Sequence, residues 1–141
     1  MTILTDPVFS KRASPISIAG PKRLITPAIS IKELPTIDVI LVSHNHYDHL
    51  DRLTLEKINQ KQKDQPPRIF VPLNQKEWFE DLEIPNVVEM EWWEEQEYLG
   101  WKIHAVPVQH WSGRSLLDRN QVLWAGSVSY THLTLQTICS V

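Results

Sequence analysis

Three histidines and one aspartate stand directly after a strand-like segment, and this arrangement constrains the fold more than any other feature of the sequence. The segment 38–43 is rich in β-branched residues and almost continuously apolar, which predicts a strand covered on both faces. His44, His46, Asp48 and His49 follow at once. A helical pattern begins soon after them. The chain is therefore predicted to fold as an α/β domain in which the end of a buried strand carries this cluster.

The cluster contains the residue types of a metal site. Zinc binds imidazole nitrogen and carboxylate oxygen, and a catalytic site leaves one position for water. His44 and His46 alternate along an extended segment and can point the same way, whereas Asp48 and His49 point elsewhere and can serve a second metal. His110, after a later predicted strand, is the natural further ligand, although a lone histidine there is more often structural. A solvated histidine-rich turn is the alternative, but the strand-to-helix context favours metal and hence hydrolysis by activated water.

Composition limits the classes of function. The 141 residues are enough for one domain with a modest core. Seventeen acidic and fourteen basic residues give a net charge of −3, without the basic stripe that nucleic-acid binding requires. Neither a Gly-rich phosphate loop nor a Gly-x-Ser-x-Gly elbow is present, so covalent nucleophilic catalysis has no candidate. No membrane-span pattern is present and Cys139 cannot form an internal disulfide, which together predict a cytoplasmic protein.

Alternating β and α patterns run through the first part of the chain, and strand patterns dominate the later part. A long loop rich in Pro and Ser, 7–27, separates the first two strands. An antiparallel meander is expected after residue 87, and the acidic run 89–97 is interpreted as solvated. The predicted strands are 2–5, 38–43, 68–71, 87–90, 97–108 and 121–124, and the predicted helices are 53–63 and 74–81, the second capped by Asn74.

Four segments give the sequence a family resemblance: 4–10, 20–23, 43–51 and 107–112. Together they resemble the metallo-β-lactamase superfamily, in the branch that contains N-acyl-phosphatidylethanolamine-hydrolysing phospholipase D. The resemblance covers residues 1 to about 126. It implies an α/β fold, a partial αββα sandwich of mixed sheets flanked by helices, with a partial metallo-β-lactamase domain at 1–127.

The resemblance also implies two zinc ions as cofactors. His44, His46 and His110 would bind one zinc. Asp48 and His49 would bind the other and act in catalysis. Asp6, at the end of the first strand, would support the site by holding ligands in place.

The sequence departs from the family pattern at both ends. It lacks the metal-bridging aspartate of a Gly-Asp-Thr-Gly-like segment, a more distal histidine, and two upstream strands with a Gly-His-Ala-Thr-like motif. Metal binding should weaken without these ligands, so the chain by itself is expected to be inactive. The tail 128–141 resembles the translation of a sequencing adapter and is predicted to be non-biological, in which case His132 and Cys139 carry no information. A genuine terminal strand is the alternative.

The function implied by the resemblance is that of a dizinc phosphodiesterase of phospholipase D type, acting on N-acyl-phosphatidylethanolamine-like substrates through a metal-bridging hydroxide. A lactonase or other ester hydrolase, and a non-catalytic metal-binding module, are the alternatives. The expected partner is a small-molecule or phospholipid substrate and not a nucleic acid, and the sequence leaves the oligomeric state open. Lys11, Arg12, Lys22 and Arg23 suggest peripheral contact with a membrane surface, against the alternative of a solvated loop.

Overall fold

Two sheets and two helices make up the part of the chain that the structure, a computed structural model, describes: residues 1–16, 18–115 and 117–131. Four parallel strands form the first sheet in the order β1-β2-β3-β4, and three antiparallel strands form the second in the order β5-β6-β7. This mixed α/β architecture agrees with the predicted fold class. The elements are β1 Ile3–Thr5, β2 Val39–Leu41, α1 Arg52–Lys61, β3 Arg68–Pro72, α2 Lys76–Glu80, β4 Val87–Met90, β5 Glu95–Tyr98, β6 Trp101–Val106 and β7 Gly126–Tyr130.

Strand β2 is buried on both of its faces, as its apolar sequence predicts. Successive side chains point to opposite sides of a strand. Ile40 therefore lies in a core against the helices, together with Leu55 and Ile58 of α1, and this is called the helix-side core. Val39 lies in a second core with Ile103 of β6, between the two sheets, and this is called the inter-sheet core. Because each fully buried aliphatic side chain contributes about 1.5–3 kcal/mol, β2 is fixed from both sides.

Helix α1 begins directly after the histidine cluster, and an aspartate ties its first turn to the long N-terminal loop. Asp51 is buried, and its carboxylate accepts hydrogen bonds from the Ser10 amide (2.9 Å), the Ser10 hydroxyl (2.8 Å) and the Thr54 hydroxyl (2.5 Å). The Thr54 hydroxyl in turn accepts the Phe9 amide at 2.8 Å. The loop that follows β1 is therefore held against the start of α1, next to the cluster.

The start of helix α2 corrects the prediction that Asn74 caps it. Asn74 has a positive φ of 67° and its side chain donates to the carbonyl of Gln121 at 3.2 Å. The backbone amides of Gln75 and Lys76 donate instead to one carboxylate oxygen of Glu89, at 2.6 and 2.8 Å. Glu89 lies on β4, so the cap comes from a neighbouring strand and not from the local sequence.

The later strands differ from the predicted meander in two ways. Strand β4 pairs in parallel with β3, and only β5, β6 and β7 are antiparallel. Segment 121–124 is not a strand. Its hydrogen bonds go to the loops that follow the parallel strands: the Leu123 amide donates to the carbonyl of Leu73, after β3, and the amide of the adjoining Ala125 donates to the carbonyl of Ser43, after β2. The chain thus crosses the ends of the parallel strands before it enters β7. Gly100, with a positive φ of 75°, lies in the turn between β5 and β6.

Strand β7 includes residues 128–130, which pair with β6. The boundary between a biological segment and an adapter-derived tail after residue 127 stays a prediction. His132 and Cys139 lie outside the described residues. Among the helices that the structure describes, none has the length and apolarity that crossing a membrane requires.

Candidate metal centre

Three histidines converge at the edge where the parallel strands end. His44 and His46 follow β2, and His110 follows β6. The Nε2 atom of His44 lies 2.9 Å from Nδ1 of His46 and 2.8 Å from Nε2 of His110. The three side chains offer ligand nitrogens that all lie within 4.8 Å of one another. The structure thus brings together the three residues that the family resemblance assigned to one zinc.

Asp48 and His49 lie beside this triad. The loop after β2 closes into a turn, in which the His49 and Leu50 amides both donate to the His46 carbonyl. One carboxylate oxygen of Asp48 lies 3.8 Å from Nε2 of His49. The ring centroids of His49 and His44 are 4.1 Å apart. The two residues assigned to the second zinc are therefore adjacent to each other and to the first group.

Asp6 sits at the end of β1, next to the end of β2. Its carboxylate accepts hydrogen bonds from the Ser43 amide (2.7 Å), the Ser43 hydroxyl (2.7 Å) and Nδ1 of His49 (2.9 Å). A proton on Nδ1 leaves Nε2 of His49, the atom nearer Asp48, as the free ligand nitrogen. The structure therefore places Asp6 where a residue that orients metal ligands would be needed.

Ser43 also helps to orient the metal ligands, a role that the sequence did not reveal although the residue lies inside the motif. A hydroxyl has one hydrogen, and the carboxylate of Asp6 can only accept it. Nδ1 of His44, 2.8 Å from the Ser43 oxygen, must then donate to that oxygen. Nε2 of His44 is consequently unprotonated and faces the other two histidines. Asp6 and Ser43 together set the tautomer that metal binding by His44 requires.

The protonation state of the triad also suits a cation. Burial, followed by the neighbouring His49 and His110, lowers the pKa of His44 from 6.5 to about 4. Burial, followed by His110, lowers the pKa of His46 as well. Metals bind the neutral imidazole. At neutral pH these two ligands need not lose a proton before a metal binds, and the donor set of imidazoles with one carboxylate fits zinc, or iron, which accepts the same ligands.

A groove of about 830 Å³ shares Tyr47 with the loop that carries the cluster. Its size is that of a small-molecule site. Aromatic walls and cationic side chains line it, including Tyr47, Trp78, Lys11, Arg12, Lys57 and Arg114. Asp51 and Glu56 also line the groove, so its surface carries both signs of charge beside the loop of the metal cluster.

The β-lactamase superfamily domain matches residues 1–132 of the chain. The chain is 42% identical to the mitochondrial N-acyl-phosphatidylethanolamine-hydrolyzing phospholipase D of Saccharomyces cerevisiae, over 94% of this chain and 28% of that protein. It is 39% identical to N-acyl-phosphatidylethanolamine-hydrolyzing phospholipase D 1 of Caenorhabditis elegans, over 87% of this chain and 36% of that protein. The chain thus spans about a third of the length of these relatives.

Two solved structures are similar in fold. An isothiocyanate hydrolase from Delia radicum gut bacteria superposes with a TM-score of 0.64 at 16% identity, over 92% of this chain and 51% of that one. CmlA, a diiron beta-hydroxylase from Streptomyces venezuelae, superposes with a TM-score of 0.56 at 21% identity, over 92% of this chain and 24% of that one. At these identities the likeness concerns the fold alone.

Proposed function

Because this chain belongs to the β-lactamase superfamily, we propose that it carries most of the metal site of a metal-dependent hydrolase. The proposed activity is that of a dizinc phosphodiesterase of phospholipase D type, acting on N-acyl-phosphatidylethanolamine-like phospholipids. The two relatives that bear this name support the substrate class. Since the chain spans only part of their length, the activity is proposed for a protein in which further ligands complete the site.

The convergence of His44, His46 and His110 is the observation that carries the proposal. Three imidazole nitrogens from two distant strands meet at one point, with Asp48 and His49 beside them. When bound there, two metal ions would supply a water-derived nucleophile near neutral pH and neutralise charge that develops on the phosphodiester.

The chain's own side chains would position the ions and the substrate. Asp6 orients His49 directly, and it orients His44 through Ser43. In the groove, Lys11 and Lys57 offer positive charge to a phosphodiester, because an ammonium group is a common phosphate contact. Asp48 and His49 are proposed as the catalytic residues, since they lie at the exposed side of the cluster.

A chimeric enzyme tests the activity. Residues 1–127 would replace the matching segment of the Saccharomyces cerevisiae relative, which would supply the ligands that this sequence lacks. Hydrolysis of N-acyl-phosphatidylethanolamine by the chimera, and its loss in His44→Ala and His110→Ala, is the expected result. Circular dichroism and metal content would verify that each variant is folded. A folded, metal-loaded chimera that cleaves a lactone but not the phospholipid would favour the ester-hydrolase alternative, and one that cleaves neither would favour the non-catalytic one.

Zinc is the metal that we propose. The tetrahedral geometry of zinc suits three imidazoles with one open position. Iron is the competing ion because it binds the same ligands. Metal analysis of the chimera, purified from cells supplied with both metals, should find zinc in excess. An excess of iron, with activity that depends on iron, would contradict the assignment.

Contact with a lipid surface is proposed for the loop that follows β1. Ile18, Leu24 and Ile25 are 84%, 97% and 80% exposed there, close in sequence to Lys11 and Lys22. Exposed apolar side chains next to cations are typical of peripheral membrane contact.

The other two cations of the loop have structural roles. Arg12 donates to the carbonyl of Gly20, and Arg23 donates to the carbonyls of Val8 and Ser10.

If the loop contacts lipid, the chain should sediment with vesicles that contain anionic lipid. The double variant Leu24→Ser, Ile25→Ser should not sediment with them, because it lacks two of the exposed apolar side chains. Equal sedimentation of the double variant would refute the contact.

A further inference from the structure

The ligand His110 is not held in place by core packing. It lies in the segment 107–111, all of which is exposed. By contrast, His44 is only 4% exposed, at the end of a strand buried on both faces. An exposed side chain on a loop adopts many conformations unless other contacts restrain the backbone. The 2.8 Å approach of His110 to His44 therefore requires an anchor close to His110 in the chain.

Before His110, the Trp124 indole donates to the Val108 carbonyl at 2.9 Å, and a second anchor begins two residues after His110. Ser112 is fully buried; its hydroxyl donates to the Val122 carbonyl, and its amide donates to the side chain of Asn120 at 3.2 Å. These bonds hold Ser112 against Asn120 and Val122. They do not, however, connect the loop to the segment that carries His44 and His46.

The next two residues, Gly113 and Arg114, make that connection. The amide of Gly113 donates to the side-chain oxygen of Asn45 at 2.7 Å. The guanidinium of Arg114 donates through Nη1 to the carbonyl of Asn45 at 2.8 Å and to the carbonyl of Leu50 at 3.0 Å. These acceptors bracket the segment that carries His46, Asp48 and His49. Asn45 thus accepts one bond through its side chain and another through its backbone.

Asn45 is buried and Arg114 is half-buried, so their hydrogen bonds favour the one arrangement of the two loops in which these bonds form. Asn45 is 2% exposed, so its side-chain oxygen would be buried without a partner if the Gly113 amide moved away, and this is unfavourable. Burial lowers the pKa of Arg114, whose guanidinium lies 4.0 Å from the ring centroid of Tyr47. Within the described part of the chain, Arg114 forms no ion pair with a carboxylate; Asp118 instead accepts the Arg114 backbone amide at 2.9 Å. The guanidinium thus contacts two backbone carbonyls and the rings of Tyr47 and Trp78.

We propose that Asn45, Gly113 and Arg114 form a latch that fixes the position of His110 relative to His44 and His46. Asn45 and Arg114 are positioning residues, which act on metal binding through the loops they join. This inference rests on the proposed metal site. It adds to that site a determinant of geometry that lies outside the ligand set.

Cobalt(II) titration of the whole chain tests the latch. Visible absorption reports both the affinity and the coordination geometry of the ion, and circular dichroism shows that each variant is folded. Asn45→Ala and Arg114→Gln remove the two sides of the latch, and Arg114→Lys keeps the charge without the planar pair of donors. Arg52→Gln, at an exposed arginine that pairs with Glu56, and Asn59→Ala, at a half-buried asparagine of α1, are the matched controls.

The latch predicts that Asn45→Ala and Arg114→Gln lower cobalt affinity by about 10- to 100-fold and change the absorption spectrum, as loss of a ligand-orienting residue typically does. Arg114→Lys should recover only part of the affinity, and both controls should match the wild type. The double variant should lose less than the sum of the two single losses, because both act on one contact.

Three results would overturn the latch or the site beneath it. Folded Asn45→Ala and Arg114→Gln variants with wild-type affinity and spectrum would show that these residues serve stability alone. Strictly additive losses would show that they do not act together. If the wild-type chain binds no cobalt, or His44→Ala binds it equally well, the proposed metal site itself fails, and this outcome is distinct from failure of the latch.

Discussion

The hydroxyl of Ser43 connects residues that the sequence motif leaves separate. Asp6 comes from the end of β1, and His44 and His49 follow β2, yet all three meet through one hydroxyl and one carboxylate. The register Thr5 with Leu41 aligns the two strand ends, and the carboxylate of Asp6, one residue past Thr5, reaches the amide of Ser43. At the scale of single residues, the site therefore depends on proton positions as much as on ligand identity.

Asp6→Asn should disturb those proton positions. An amide can present N–H to Nδ1 of His49, and the ring must then accept there and carry its proton on Nε2, the nitrogen proposed for the metal. We expect cobalt affinity to fall by about 10- to 100-fold, with a change of the His49 tautomer in nitrogen-15 NMR spectra. Asp64→Asn, at an exposed aspartate after α1, is the control. An unchanged tautomer together with unchanged affinity would remove Asp6 from the site.

The lowered pKa of His44 predicts how stability depends on pH. Unfolded histidine titrates near 6.5, whereas folded His44 titrates near 4, so the unfolded state binds more protons between these values. The free energy of unfolding of the metal-free chain should therefore be constant above about pH 6.5 and fall as the pH falls toward about 4, and His46 acts in the same direction.

Urea unfolding at several pH values would measure this dependence. His44→Gln should flatten the slope, whereas His104→Gln, on β6 away from the cluster, should retain it. A slope that persists unchanged in His44→Gln would assign the titration to other groups.

At the scale of elements, the short helix α2 shows how a cap can come from outside the local sequence. Five residues are too few for a helix to be stable alone, because nucleation is unfavourable. The carboxylate of Glu89 on β4 accepts the amides at the helix start, where negative charge is also favourable. Phe79, fully buried in the helix-side core, supplies the remaining stabilisation.

Glu89→Ala tests whether helix α2 depends on the Glu89 carboxylate. The two amides lose a charged acceptor, and the free energy of unfolding should fall by about 1–2 kcal/mol. Denaturant unfolding would measure the change, and Glu91→Ala, at an exposed glutamate next to the strand end, should alter stability by about 0.5 kcal/mol or less. Equal effects of the two substitutions would mean that Glu89 does not cap α2 in solution.

At the scale of the whole molecule, the inter-sheet core joins the two halves of the metal site. His44 follows a strand of the parallel sheet and His110 follows a strand of the antiparallel sheet, so their distance depends on how the sheets pack. Ile103 and Ala105 of β6 meet Val39 and Leu41 of β2 in that core. Metal binding and sheet packing should therefore be coupled.

Ile103→Ala tests this coupling. Ile103 is 1% exposed, and its truncation should lower the free energy of unfolding by about 2–5 kcal/mol, through lost burial and the cavity left behind. Cobalt affinity of the folded fraction should fall as well, because β6 positions the segment that leads to His110. Leu53→Ala, at a leucine of α1 that is 50% exposed, is the matched control. A large loss of stability with unchanged cobalt affinity would show that metal binding does not depend on the packing of the inter-sheet core.

The sequence by itself determined the local features of this protein. The apolar run before His44 predicts a doubly covered strand, the residue types of the cluster predict metal chemistry, and the helix after it follows from apolar periodicity. These features depend on neighbours within a few positions along the chain. Patterns of period two or 3.6 are therefore sufficient to reveal them.

Only the tertiary structure decided how distant residues meet. His44 and His110 are 66 positions apart and Asn45 and Arg114 are 69 apart, and no periodic pattern encodes such a pairing. The same holds for the parallel pairing of β4 and for the cap that Glu89 provides. A strand's sequence specifies which face is buried but not which strand lies beside it. The choice of partner, and with it the geometry of the metal site and its latch, follows from the packing of the two sheets.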